Sequence, residues 1–327
     1  MVSLPSEWVK AVGLKPGDIV RIEVRDDGSL IVTPVSLLEK RLKGKEVTIR
    51  INHATPEEIL VRTIYAMYIA GYDRIIVESS EPYILGQQLH AVRNIVRMLI
   101  GSEIVEQTAN RIVIQVFVDV ERYSLDNLIH RMLNTLKSML DFLTITIVHA
   151  KPEHLGELQE LEYELDRVYA LSVRYTYVLS TLRCTPFLTE YRTLIKSLED
   201  IGDALTMAAN ALKTRPSVLE KLSKYMEDRA EELKNMFFYV LDLIYEALTK
   251  NEVFVASKAV DLSQEVTRYV SKLEESLPTN MFTSEELVAA KHFFEKFKLV
   301  GNYLQGAAEL AFDIALEKAG NLINLAR

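Results

Sequence analysis

The chain has 327 residues, of which 49% are hydrophobic and 26% charged, and its formal net charge is −8 at pH 7. An acidic globular protein of this composition is not a general nucleic-acid binder, so any contact with DNA must be local. No apolar run reaches the ~20 residues of a membrane span, and the single cysteine, Cys184, excludes an intrachain disulfide. We therefore expect a cytoplasmic protein with no transmembrane segment.

The first 34 residues form a unit of their own. A short helix through Trp8, Val9 and Val12 is followed by an alternating strand over 19–24, a turn and a return strand over 30–33. About thirty residues cannot bury a core alone, so we expect this unit to pair with a second copy. The candidate DNA-binding residues are the four basic residues of this unit: Lys10, Lys15, Arg21 and Arg25. The alternative is that they are ordinary charged residues of a solvated surface.

Residues 35–45 form a charged connector, and 46–119 have the pattern of a small α/β domain. Strands are predicted over 47–51, 73–78, 103–106 and 111–118, with helices starting at Thr55 and Pro82. No glycine-rich phosphate loop occurs here. From residue 121 onward the pattern is helical. Long helices are predicted over 158–182, 189–213, 217–250, 252–277 and 284–326 after one capped by Ser124, and their short breaks indicate an up-and-down bundle.

Pairs of carboxylates recur in this helical half. Glu162/Asp166 and Glu199/Asp203 are each four residues apart, which places both members of a pair on one helix face. Gly202 lies within the second pair, where a helix disfavours glycine, and this predicts the close approach of another backbone. These four carboxylates are hard oxygen donors, suited to Mg²⁺, Mn²⁺ or iron, although acidic pairs are also common on solvated helix faces.

The pattern recurs at a shift of 301 − 202 = 99 residues, where Gly301 replaces Gly202. This indicates a duplicated unit. At the same shift Asp261 and Glu265 retain one acidic pair, whereas Lys298 and Asn302 replace the other. If both repeats fold alike, Lys298 should point toward Asp261 and Glu265. The second repeat would then be a degenerate metal site, neutralised from within.

The phrase EDIGD at 199–203, repeated in altered form in an all-helical context, resembles the signature of PhoU, the phosphate-uptake regulator. The resemblance implies two three-helix repeats, with an iron or zinc cluster held by E/D-x-x-x-D motifs. The phrases SLPSEWV and LKPGDIVRIEV resemble the AbrB/SpoVT swapped-hairpin domain, an obligate dimer that binds DNA; its usual first strand is expected to be missing.

The expected fold is mainly α, with PhoU-like repeats after a small α/β domain and a partial AbrB-like head. The domains are 1–45, 46–120, 121–216 and 217–327. The expected function is that of a dimeric, DNA-binding regulator of phosphate uptake. The alternative is an adaptor that binds a protein such as the phosphate transporter's ATPase and does not bind DNA. No nucleophile–His–acid set occurs, so we expect no enzyme.

Overall fold

The structure is a computed structural model that describes residues 3–24, 28–36, 44–118, 123–182, 187–213 and 215–319. The chain divides into two compact units, one containing 1–93 and 102–117 and the other containing 94–101 and 118–327. This two-way division does not test the four domain boundaries expected from the sequence, which stay a prediction.

The head consists of a short helix and a hairpin. Helix α1 spans Ser6–Val12 and ends at Gly13, whose φ of 68° is a left-handed conformation that glycine adopts without strain. Strands β1 (Val20–Val24) and β2 (Leu30–Pro34) pair in antiparallel register. No residue of α1 is buried in the single chain. The hairpin thus lacks a core of its own, as its length predicts.

The α/β part of the first unit has a four-stranded sheet. Its strands are β3 (Lys45–Ile51), β4 (Tyr72–Ser79), β5 (Ser102–Gln107) and β6 (Arg111–Val116), in the order β3-β4-β6-β5. Helix α2 (Glu57–Ile69) connects the parallel strands β3 and β4, whereas β6 is antiparallel to both of its neighbours. The central strands β4 and β6 carry buried aliphatic side chains, as their apolar sequences predict. Helix α3 (Gly86–Met98) starts four residues after Pro82.

The first helical repeat contains three long helices. They are α4 (Leu125–His149), α5 (Leu155–Leu182) and α6 (Leu188–Lys213), and each packs against the other two. The hydroxyl of Ser124 accepts a hydrogen bond from the backbone N–H of Asn127 at 3.2 Å, which confirms the predicted cap of α4. Apolar residues at helical spacing form the buried faces, so the repeat is a three-helix bundle.

The second repeat has the same three-helix arrangement with one additional helix. Its helices are α7 (Pro216–Met226), α8 (Arg229–Lys250), α9 (Val253–Glu275) and α10 (Ser284–Ala319). The repeats join along α6 with α10 and along α4 with α8. Each repeat thus contributes its equivalent helices to the interface, as a duplicated unit would.

The single helix predicted over 217–250 is wrong, because it breaks into α7 and α8 between Met226 and Arg229. The Arg229 guanidinium donates to the backbone oxygen of Tyr225 at 2.5 Å, and the Tyr225 hydroxyl donates to the backbone oxygen of Leu273 at 2.7 Å. The Arg229 side chain thus donates to the Tyr225 carbonyl, which would accept a backbone N–H if the helix continued. Neither glycine nor proline marks this break, so the sequence gives no ordinary signal for it.

Candidate functional site

The candidate site lies where α5 and α6 cross. A Cβ atom added at Gly202 would stand 2.2 Å from Cδ2 of Leu165, well inside van der Waals contact. Any residue larger than glycine would require the Leu165 side chain to shift. A neighbouring group does approach Gly202 closely, but the prediction that this group is a backbone is wrong, because it is the side chain of Leu165. This close approach brings the acidic faces of the two helices together.

Three of the four predicted carboxylates converge at this crossing. One oxygen from each of Asp166, Glu199 and Asp203 lies within 4.8 Å of the other two. Oxygen ligands stand about 2.0–2.6 Å from Mg²⁺ or Ca²⁺, so two ligands of one ion are separated by up to about 5 Å. These three oxygens can therefore reach one cation. Glu162, one turn before Asp166 on α5, is outside this group and accepts a hydrogen bond from Gln159.

The environment disfavours four negative charges in one place. Burial, and then the neighbouring charges of Glu162 and Asp203, raise the pKa of Asp166 from 3.8 to about 6. Burial is also the main cause that raises the pKa of Glu162, Glu199 and Asp203. Without a cation, the cluster holds protons more tightly than carboxylates exposed to water do. A bound cation would relieve this repulsion, because it favours the ionised carboxylates.

Lys196 is a member of the site that the sequence analysis missed. Its ammonium group donates to Glu199 and, at 2.6 Å, to Asp200, both on its own helix. Burial alone would lower the pKa of Lys196, but its hydrogen bonds to Asp200 and Glu199 raise that pKa above the ordinary value. The spacings of three and four residues were a signal for this contact. The site therefore contains one internal cation, which already engages an oxygen of Glu199.

The second repeat differs from the sequence prediction. Nζ of Lys298 lies 2.5 Å from the carboxylate of Glu274, and Glu265 pairs with Arg268. Glu265 and Glu274 are nine residues apart on α9, or about 13 Å along a helix. The prediction that Lys298 points toward Asp261 and Glu265 is therefore wrong, because Lys298 pairs with Glu274. The degenerate metal site of Asp261, Glu265, Lys298 and Asn302 stays a prediction.

The register of the helices explains this error. In the first repeat Gly202 faces Leu165, whereas a Cβ atom at Gly301 would stand 2.6 Å from Oγ1 of Thr267. The residues that face the two glycines are thus 267 − 165 = 102 positions apart, not 99. A three-residue offset on α9 displaces its side chains by about 4.5 Å along the helix axis and by about 60° around it. The acidic pair at 261 and 265 consequently does not occupy the positions equivalent to 162 and 166.

The candidate DNA-binding residues of the head are exposed wherever the structure describes them. Lys10 lies on α1, Lys15 in the turn before β1 and Arg21 on β1, and all three are exposed. Asp18 accepts a hydrogen bond from the backbone N–H of Lys15 and so fixes this turn. Arg25 lies outside the described residues. These exposed basic residues are spread over a helix, a turn and a strand. Contacts with a phosphate backbone do not require them to lie on one element.

Two comparisons with known proteins agree with this architecture. Residues 1–39 match the family model described as antidote-toxin recognition MazE, bacterial antitoxin. The crystal structure of PhoU from Pseudomonas aeruginosa is similar over 59% of this chain and 96% of that chain, with a TM-score of 0.52 and 11% sequence identity. No curated protein matches the chain in sequence. At this identity the likeness to PhoU shows the fold alone.

The chain thus combines a MazE/AbrB-like N-terminal domain with a helical bundle of the PhoU fold. The expected resemblance to both families and the expected mainly-α fold class are confirmed. Among the described residues, each helix is either too short or too polar to cross a lipid bilayer.

Proposed function

We propose that the protein is a cytoplasmic, non-enzymatic regulator of phosphate uptake that binds DNA as a homodimer through its head. The hairpin is the observation that carries the dimer and DNA parts of this proposal. Ile22 pairs with Val32 and Val24 with Leu30, so these four side chains share one face of the sheet. Ile22, Val24 and Leu30 are 58%, 73% and 54% exposed in the single chain. A second copy would cover this apolar face.

The charged residues support the DNA-binding part of the proposal. Arg21 precedes Ile22 on β1, so its side chain projects from the opposite face of the hairpin. A dimer built on the face of Ile22 and Val24 leaves that opposite face open and doubles the number of exposed basic residues. Electrostatic attraction to phosphates supplies most non-specific DNA affinity, so even a few bases per chain contribute.

The phosphate-related part of the proposal rests on the PhoU fold together with the acidic crossing of α5 and α6. We propose that Asp166, Glu199 and Asp203, assisted by Glu162, hold a divalent or iron-type metal ion. The carboxylate set fits a hard cation, and Lys196 occupies only part of it. Metal analysis of the purified protein and of a Glu199→Ala/Asp203→Ala variant tests this. Equal metal content in both proteins would contradict the assignment.

The DNA part is tested by retention of the protein on its own upstream DNA across a series of salt concentrations. We expect retention that falls with salt, and a variant lacking one phosphate-contacting base, Lys10→Gln, should lower the log–log salt slope by about 1. Glu7→Gln, which removes an acid from the same helix, is the matched control and should not weaken binding. An intact dimer with no retention at low salt would contradict DNA binding.

The dimer has its own test. Deletion of residues 1–34 should give a monomer by light scattering, because the apolar hairpin face is then removed. A deletion variant that stays dimeric would place the interface elsewhere.

A second candidate function is that of an adaptor that binds a phosphate-signalling protein, such as the phosphate transporter's ATPase, without binding DNA. The observation that favours the adaptor is the formal net charge of the whole chain, which is −8 at pH 7. The salt series separates the two candidates, because an adaptor would not be retained on DNA.

A further inference from the structure

An open polar groove runs along α9 and α10 in the second repeat. It has a volume of about 450 Å³ and is lined by Gln264, Arg268, Lys272 and Glu275 from α9 and by Gln305 from α10, among others. This volume falls within the ~300–1,000 Å³ typical of small-molecule sites. Its lining side chains all carry polar or charged groups, which can supply hydrogen bonds and charge to a ligand.

The α9 side of the groove includes the two positions that correspond to the acidic pair of α5 in the first repeat. With the 102-residue register given by the glycine contacts, Gln264 corresponds to Glu162 and Arg268 to Asp166. On α10, where Gly301 corresponds to Gly202, the shift remains 99. Lys298 and Asn302 therefore correspond to Glu199 and Asp203.

Each of the four carboxylates of the first repeat is thus replaced by a side chain that donates hydrogen bonds. A carboxylate only accepts, whereas guanidinium and ammonium groups only donate, and amides can do both. Arg268 and Lys298 add positive charge, and Lys272 lies one turn beyond Arg268 on the same lining. The four equivalent positions therefore carry no carboxylate, and two of them carry a positive charge.

We propose that this groove binds a small hydrophilic molecule through an oxyanion group, such as a phosphate, held by Arg268 and Lys272. Arg268 pairs with Glu265 and donates to Gln264 at 3.4 Å, so its guanidinium is held at the groove. Guanidinium groups bind phosphate and carboxylate oxygens in a bidentate manner. This assignment is independent of DNA binding by the head and of a metal ion in the first repeat.

Three carboxylates near these cations limit the strength of binding. Glu265 pairs with Arg268, Glu274 pairs with Lys298, and Glu275 lines the groove itself. An entering oxyanion must therefore share Arg268 with Glu265. Glu275 is an acceptor for hydroxyl groups elsewhere on the ligand, which favours a polyhydroxylated molecule over a bare ion.

Isothermal titration calorimetry of the full chain with inorganic phosphate and with ribose 5-phosphate tests the proposal. A chelator is present throughout, so that a metal ion in the first repeat cannot bind the phosphate. The test variant is Arg268→Gln/Lys272→Gln. The control is Lys258→Gln/Lys291→Gln, which also removes two exposed positive charges, one on α9 and one on α10. Neither residue lines the groove.

We expect the parent to bind at least one probe and the test variant to bind it at least about tenfold more weakly, with the control changed less than twofold. Tighter binding of the sugar phosphate would identify a phosphorylated metabolite as the ligand, and preference for the bare ion would identify free phosphate. The proposal is overturned if neither probe binds below about 10 mM. It is equally overturned if the test variant binds as the parent does while its circular dichroism spectrum is unchanged.

Discussion

Asp166 offers the sharpest test of the acidic crossing, through Asp166→Asn. Asparagine has nearly the shape of the protonated acid and carries no charge. The folded-state pKa of Asp166 is raised from 3.8 to about 6. The ionised side chain therefore destabilises the metal-free fold. The penalty is absent below about pH 4, where both folded and unfolded states are protonated, and is complete above about pH 6.

The size of this penalty follows from the pKa difference. A pKa change of one corresponds to about 1.36 kcal/mol, which gives an upper bound of about 3 kcal/mol for Asp166. Partial exposure of the side chain screens the repulsion, so we expect about 1–2 kcal/mol. In the presence of a chelator at pH 7.5, Asp166→Asn should therefore unfold at a higher urea concentration than the parent. The gain should shrink as the pH falls from 6 to 4.

The matched control is Asp261→Asn, an exposed aspartate on α9, which should change the free energy of unfolding by less than about 0.5 kcal/mol. Addition of Mn²⁺ should make the parent more stable than Asp166→Asn, because the metal stabilises only the protein that binds it. Urea unfolding is followed by circular dichroism at 222 nm, a far-ultraviolet signal of helix. A variant that is less stable than the parent at pH 7.5 with chelator, or a gain that does not vary with pH, would refute the reasoning.

Three further variants test the geometry of the bundle. Gly202→Ala should lower the free energy of unfolding by about 1–3 kcal/mol by overpacking, and thermal melting measures this. An unchanged melting temperature would contradict the close contact. Lys196→Met should increase metal affinity about fivefold in calorimetry, because the internal cation is lost; weaker binding would mean that the lysine positions the ligands. Lys298→Glu with Asn302→Asp should not create a second metal site, because Arg268 stands opposite, and stoichiometric metal uptake there would contradict the 102-residue register.

The sequence predicted most of the architecture because its signals are local. Apolar spacing marked the long helices, and the recurrence of a glycine within an acidic or altered motif marked the duplication. The candidate site was partly predictable for the same reason: Glu199 and Asp203 share a helix face by spacing alone. Asp166 could be added to them only through the duplication pattern and the resemblance to PhoU.

What the sequence could not supply was the relative position of separate helices. A shift of 99 aligns Gly301 with Gly202, but it misplaces the facing helix by three residues. Lys298 was therefore expected to face Asp261 and Glu265, whereas it pairs with Glu274. The break before Arg229 also depends on contacts with other segments. Tertiary contacts of this kind leave no periodic signature in the chain.

The glycine at each crossing separates the shape of the two repeats from their chemistry. Gly202 and Gly301 let neighbouring side chains enter the space that a Cβ atom would fill, so the close contact at each crossing depends on a residue whose side chain offers no ligand atom. The four surrounding positions can then be exchanged without rebuilding the backbone. The bundle therefore offers a protein designer two helix crossings whose surrounding side chains can be changed. Both crossings could carry carboxylates, both could carry cationic side chains, or one could carry each kind, as in this chain.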